Sequence, residues 1–405
     1  MENAHVKFVE AYVEDLLRTG DLHRGAVERA FRRVRRHRFL DHWYCLDPSS
    51  FPPVWSRFDF DRDGPDSHTM STIYSDRSLV TGIDGYRPTT STSQPRLMAR
   101  MIETLQLEPG MRVLEVGTGT GYNTALLAET LGEPANVFSV ELRPEIAELA
   151  RKALRQEGYG DARLLVKDGA FGAEEGAPYD RIMVTAGCAD ISPAWLEQLK
   201  PEGRLLAPIQ HGHLDPLLEF QRAGEVPGGA TARVVGRSTF MPMAGALAGP
   251  NAWQSFLIGG MPHESLWLRD LPIKLPGTEE GHPLGVDTHR SVQFYLSLVS
   301  RELWQTNKGY GLADPQDGAA ALVTTGGLEV LYRPESERRA EELASKLERL
   351  LVAWDRLGRP APGDYDIVFE PKAVLPRLSG DGREWVIERT HFWQIVRLAK
   401  PVSAT

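Results

Sequence analysis

Three glycines alternate in the run EVGTGTGYN: Gly117, Gly119 and Gly121. They close an apolar stretch, RVLEV, and precede a helical pattern, YNTALLAETL. Glycines at a strand-to-helix turn let the backbone bend tightly and approach a ligand closely. The spacing is G-x-G-x-G, unlike the G-x-G-x-x-G of dinucleotide loops. Roughly 20 residues on, Glu141 ends a second apolar run, where a carboxylate can grip a ribose hydroxyl pair. Asp168 and Gly169 end a third, ARLLVKDG, with an acid able to accept from an adenine amino group. No Walker lysine and no phosphate cradle accompany them. Adenosine without phosphates fits this set, so S-adenosylmethionine is the expected cofactor. A plain structural βα turn is the competing reading.

Directly upstream lies STSQPRLMARM, residues 91–101. Leu97, Met98, Met101, Ile102 and Leu105 form one helix face. The polar start has no simple structural label beyond a cap for the helix that begins near Pro95.

The elements that must position these residues follow from periodicity. Residues 6–40 read as two amphipathic helices broken at Thr19–Asp21. Residues 47–72, rich in Pro, Asp and Ser, read as a loop or lid anchored by Phe51, Trp55, Phe58 and Phe60. From Arg96 strands and helices alternate: RVLEVG, NVFSVEL, ARLLVKDG, YDRIMVTAG and RLLAPIQ are strands, with helices between them, one of them SPAWLEQLKPEG. That order predicts a mostly parallel, doubly wound sheet covered on both faces, an α/β Rossmann-like fold. After Pro250 the character changes. AALVTTGGLEVLYR reads as a hairpin and residues 335–358 as a helix with the stripe Ala340, Leu343, Ala344, Leu347, Leu350, Leu351 and Trp354. Those elements predict a C-terminal α+β domain over 250–405, after a catalytic domain over 1–249. The simplest role for that stripe is packing on its own sheet; a peptide cradle is the alternative.

The 405 residues are 41% hydrophobic and 25% charged, ordinary values for a packed chain. The 46 basic and 55 acidic residues give a net charge of -9, which argues against a general nucleic-acid binder. RAFRRVRRHRF, residues 29–39, is a local exception. It reads as a solvated helix surface, with an acidic peptide partner as the sharper alternative. Two cysteines, Cys45 and Cys188, form no CxxC pair and suit a reducing compartment. No secretory or membrane-spanning pattern stands out, and the expected location is the cytoplasm. His263, His282, His289 and His391 lack ligand spacing, so no metal is expected. A monomer is expected.

Taken in order, most of residues 20–245 resembles the protein-L-isoaspartate O-methyltransferases. AVERAFRRVRRHRFL is similar to the family's first helix. IYSDRSLVTGIDGYRPTTSTSQP resembles its substrate loop and Thr-Ile-Ser-Gln-Pro motif, and STFMPMAG its final strand. The resemblance implies methyl transfer from S-adenosylmethionine to an aspartyl or isoaspartyl carboxylate of a peptide. It implies that Ser93 is the active-site serine, flanked by Thr92, Gln94 and Pro95. Gly117, Gly119 and Gly121 would hold the methionine part of the cofactor, Glu141 the ribose, and Asp168 with Gly169 the adenine. Glu115, Thr118, Thr120, Asn123 and Leu142 are further cofactor-binding candidates. A carboxylate is already ionised at neutral pH and needs no general base. The protein has to align it with the methyl and exclude water.

Three features depart from the family: the aromatic segment 47–72, the lead-in GYRPTTSTS, and residues 250–405. Ala244 also stands where some relatives carry a polar cofactor contact. Such additions resemble the extended enzymes of ribosomal-peptide pathways, including those of lanthipeptides and graspetides. That resemblance implies methylation of a normal Asp in a modified, macrocyclic precursor peptide, followed by aspartimide (succinimide) formation. A general isoaspartyl repair enzyme with an accessory domain is the alternative. A tRNA methyltransferase and a non-catalytic peptide binder are further readings, disfavoured by the acidic balance and by the intact glycine loop.

Overall fold

The computed structural model describes residues 6–399 apart from 48–53, 62–64, 86, 212–214, 250–264, 274, 276–285, 306–308, 325, 374, 377, 379 and 381. Phe51, Trp253, His263 and His282 therefore lie outside the described residues. The chain forms two compact units that interleave along the sequence. The first comprises residues 1–208, 219–228 and 240–249; the second comprises 209–218, 229–239 and 250–405.

The first unit opens with helices α1 (Val6–Arg18) and α2 (Ala26–Arg33). Val9, Val13 and Leu16 bury one face of α1, as the spacing predicts. An antiparallel sheet follows, built from β1 (His42–Asp47), β2 (Val54–Asp59), β3 (Leu79–Asp84) and β4 (Arg87–Thr92) in the order β2-β1-β3-β4. Helix α3 (Ser67–Ile73) is capped by Asp66, whose side chain accepts from the Thr69 amide. Helix α4 (Pro95–Leu105) buries Met98, Met101, Ile102 and Leu105.

The cofactor half is a parallel sheet in the order β9-β8-β5-β6-β7. Its strands are β5 (Val113–Val116), β6 (Val137–Glu141), β7 (Arg163–Val166), β8 (Tyr179–Val184) and β9 (Leu199–Pro208). Helices α5 (Tyr122–Leu131), α6 (Pro144–Gln156) and α7 (Pro193–Gln198) connect them. Every residue of β5 is buried, as a strand flanked on both edges and covered on both faces requires. Nearly all of α5 is buried too, because α2 packs on its outer side.

The second unit holds an antiparallel set in the order β18-β19-β17-β11 and a five-stranded sheet in the order β12-β16-β15-β14-β13. The ranges are β10 (Asp215–Arg222, shared between the units), β11 (Ala230–Ser238), β12 (Ser265–Arg269), β13 (Leu303–Gln305), β14 (Gly309–Asp314), β15 (Ala319–Thr324), β16 (Gly327–Tyr332), β17 (Tyr365–Pro371), β18 (Glu384–Glu388) and β19 (Phe392–Leu398). Helices α8 (Val286–Val299) and α9 (Glu337–Arg356) complete it. Helix α9 lays its stripe on β14, β15 and β16, with Leu347, Leu351 and Trp354 at or below 1% exposure. That packing takes up the face that could have cradled a peptide.

Several expectations need correction. Residues 47–72 are not simply a loop: β2 pairs along its whole length with β1, and α3 begins at Ser67. Trp43 stacks on Phe58 at 5.8 Å and meets Phe60 at 5.6 Å, so aromatic pairing across the strands outweighs the turn-rich composition. The expected loop before Ser93 is the β3–β4 hairpin, made of β-branched residues without a clear polar alternation. The helix expected through residue 203 stops at Gln198, because Pro201 lacks an amide proton and disfavours helix at the residue before it. The expected final strand reduces to one parallel bridge, Gly187 to Pro242. Residues 266–268 lie in β12 and pair with β16.

The arginine-rich segment is also not an open basic surface. Arg32 pairs with Glu10, Glu14 and Glu28, and Arg33 with Glu129. Arg35 and Arg38 share Glu157, at 2.8 and 2.9 Å. Arg36 is fully buried. These acids leave little charge for an acidic peptide.

Candidate functional site

The site is assembled where the parallel strands end. Gly117, Gly119 and Gly121 have φ of 104°, 54° and 84°. A side chain would be crowded at both Gly117 and Gly119. A Cβ on Gly117 would lie 2.7 Å from the Thr185 hydroxyl, and one on Gly119 would lie 3.2 Å from the Ser91 carbonyl. The second distance places the Ser-Thr-Ser-Gln-Pro strand against the glycine loop. The Thr185 hydroxyl donates to the Gly117 carbonyl at 2.6 Å and pins the loop from the end of β8.

Beneath the loop, Glu115 is fully buried. It accepts from Asn123 at 2.7 Å, from Ser139 at 2.6 Å and from Thr124. Burial pushes its carboxyl up to about 7, against the pull of those donors. The Thr118 and Ser139 hydroxyls meet at 2.6 Å. Glu115, Thr118 and Asn123 thus form an internal pillar under the glycines. Thr120 sits above it, half-buried, near the Tyr122 amide.

Glu141 reaches up from β6. One oxygen accepts from the Gly119 amide at 3.1 Å and the other from the Arg143 amide at 3.2 Å. Burial raises its pKa despite these bonds. Leu142 beside it is exposed. Asp168 holds two turns together, accepting from Ala170 and Ala246 amides, each at 2.9 Å. A Cβ on Gly169 would lie 2.5 Å from a Val116 methyl, so only glycine fits there. Trp195 donates to the Gly169 carbonyl at 2.8 Å, and Gln198 to that of Phe171 at 2.9 Å. Phe171 is 59% exposed, an unusual place for a large ring unless something covers it.

Ser93 lies after β4 and is half-buried. The cap position of α4 is Gln94, which makes no side-chain cap bond, and Pro95 is the first helical residue. Asp76 performs the capping instead. It accepts from the Arg96 amide at 3.0 Å and from the Gln94 side chain at 2.7 Å. Thr92 is buried, and its hydroxyl, like that of Thr90, finds no hydrogen-bond partner among the described residues. The roles of Asp76, Thr185, Trp195 and Gln198 were not legible in the sequence. Each acts on residues at least ten positions away in another element.

The sequence profile described as protein-L-isoaspartate(D-aspartate) O-methyltransferase matches residues 61–247. The chain is 33% identical over 249 residues to the protein-L-isoaspartate O-methyltransferase of Thermococcus onnurineus, covering 60% of this chain and 96% of that protein. The chain belongs to the protein-L-isoaspartate O-methyltransferase family. Protein-L-isoaspartate O-methyltransferase 2 of Archaeoglobus fulgidus is 47% identical over 125 residues, 31% of this chain; the match spans just over half, 56%, of that relative. A solved protein-L-isoaspartate O-methyltransferase shares the fold with a TM-score of 0.51 at 24% identity, over 89% of this chain and 96% of its own. A C-terminal extension is therefore not by itself foreign to enzymes of that name.

Family membership implies S-adenosylmethionine, and the site fits it. The Asn123 side-chain oxygen is buried beside the loop and finds no hydrogen-bond partner among the described residues. Two carboxylates stand at adjacent strand ends.

Proposed function

We propose that the chain is an S-adenosylmethionine-dependent O-methyltransferase of aspartyl-type carboxylates in peptides. We further propose that its acceptor is a normal Asp in a modified, macrocyclic ribosomal peptide. The observation that carries the reaction is the approach of Ser91 to Gly119, which holds the Ser93 turn beside the glycine loop. When bound, S-adenosylmethionine supplies an electrophilic methyl group on a sulfonium.

The chain's own work is binding and alignment. Gly117, Gly119 and Gly121 give the loop its approach. Glu141 and Asp168 each spend one bond per oxygen on backbone amides and keep lone pairs for ribose and adenine. The Ser93 hydroxyl donates to one oxygen of the acceptor carboxylate and leaves the other to attack. No proton has to be removed first. Alignment and exclusion of water then supply the rate.

In the resulting ester the amide nitrogen of the following residue attacks the side-chain carbonyl carbon. A C–N bond forms, the bond to methoxide breaks, and methanol leaves with the amide proton. The product is an aspartimide. A macrocycle that holds the Asp in near-attack geometry favours this closure. The β1–β2 hairpin with its stacked aromatics supports an acceptor more specific than any damaged Asp.

A second reading, general isoaspartyl repair, is favoured by the names of the relatives. Competition separates the two. The expected kcat/KM for a cyclised Asp peptide exceeds that for a linear isoAsp hexapeptide by about tenfold or more. Efficient turnover of the linear isoAsp peptide, with none of the cyclic one, selects repair.

A further inference from the structure

Arg36 is among the largest fully buried side chains of the protein, and it carries a charge. Burying a guanidinium is costly unless its donors are satisfied. Here backbone carbonyls satisfy its two terminal nitrogens, while its buried Nε finds no partner among the described residues. One terminal nitrogen donates to Ile73 at 2.6 Å and Ser75 at 3.2 Å; the other donates to Arg77 at 2.7 Å and Ser93 at 3.0 Å. Its guanidinium carbon lies 6.0 Å from the ring of Tyr122, the first residue after the glycine loop. One side chain thus touches the strap 73–77, the Ser93 turn and the start of α5.

Asp76 belongs to that same strap and works from the other side. Its two oxygens hold the Gln94 side chain and the Arg96 amide, at 2.7 and 3.0 Å. The carbonyl of Ser93 and the residues just after it are therefore fixed from two directions. The capping work at α4 is taken by Asp76, which leaves the Ser93 hydroxyl available.

We propose that Arg36 and Asp76 are positioning residues for Ser93. They set where its hydroxyl points relative to the glycine loop and act on acceptor alignment, not on cofactor binding. This rests on the reading of Ser93 given above. A misplacement of about 1 Å in a reacting arrangement costs on the order of 100-fold in rate. A purely architectural role would lower stability and act on every function alike.

A double-mutant cycle between Asp76→Ala and Ser93→Ala tests this. Asp76→Ala alone is expected to lower kcat about 10- to 100-fold, with the dissociation constant for S-adenosylmethionine within about threefold. Asp76→Asn keeps one acceptor and recovers most of that loss. Added to Ser93→Ala, Asp76→Ala is expected to cost less than about twofold more, because it acts through the serine. Arg36→Lys and Arg36→Met are the parallel pair. Because Arg36→Met removes a buried anchor and can fail to fold, the Asp76 cycle stands alone. Equal losses in both backgrounds, or no loss in either, would overturn the proposal. If Ser93→Ala by itself costs nothing, the reading of Ser93 falls first and the clamp with it.

Discussion

Ser93→Ala is expected to lower kcat for peptide methylation by about 100-fold, the size of loss seen when one oriented donor is removed from a reacting oxygen. Cofactor affinity, measured by calorimetry, should stay within about threefold of wild type. Stability should change by less than about 0.5 kcal/mol, because the residue is half-buried and Asp76 caps α4. The separation of these three readouts is what matters. A loss of cofactor affinity equal to the loss of kcat would make the serine a cofactor contact. A clear loss of stability would make it a cap after all.

The second large effect concerns the glycine loop. Gly117→Ala places a side chain at φ 104°, where residues other than glycine are strained, and drives its Cβ to 2.7 Å from the Thr185 hydroxyl. That hydroxyl also holds the Gly117 and Val116 carbonyls, at 2.6 and 3.1 Å. Relief requires the loop or Thr185 to move. Affinity for S-adenosylmethionine should fall by about 100-fold, or roughly 2.7 kcal/mol. Gly110→Ala is the control: its φ is also positive, at 83°, but a Cβ there meets nothing within 4 Å. It should cost stability alone and leave cofactor binding unchanged. Similar losses of affinity from both substitutions would show that backbone strain, not the loop's shape, is responsible.

What the sequence could show depended on how local the physics was. The buried strands around Glu115 and Glu141, and the stripe of α9, are legible because burial imprints a period or an unbroken apolar run. The glycine loop is legible because close approach demands a residue without a side chain. The β3–β4 hairpin was not, since Thr81, Thr90 and Thr92 look polar while their hydroxyls are buried. Asp76 was not, since it caps a helix that starts nineteen positions later in the chain at Pro95. Arg36 hid among six arginines of one segment; five are expected on a surface, and only tertiary packing singles out the sixth. Glu115 stands two positions before the loop, but its depth is set by Ser139 and Thr124, which come from β6 and α5.

The chemistry of the transferred methyl group decides the central claim. Wild-type protein would be incubated with methyl-labelled S-adenosylmethionine and an Asp peptide, cyclised or linear isoAsp, and with RNA in a parallel reaction. A carboxyl ester predicts label on peptide only, released as methanol in mild base, with the cyclised peptide ending one water lighter than it began. Label that resists base, or that enters RNA, would contradict the assignment of this site to a carboxylate acceptor.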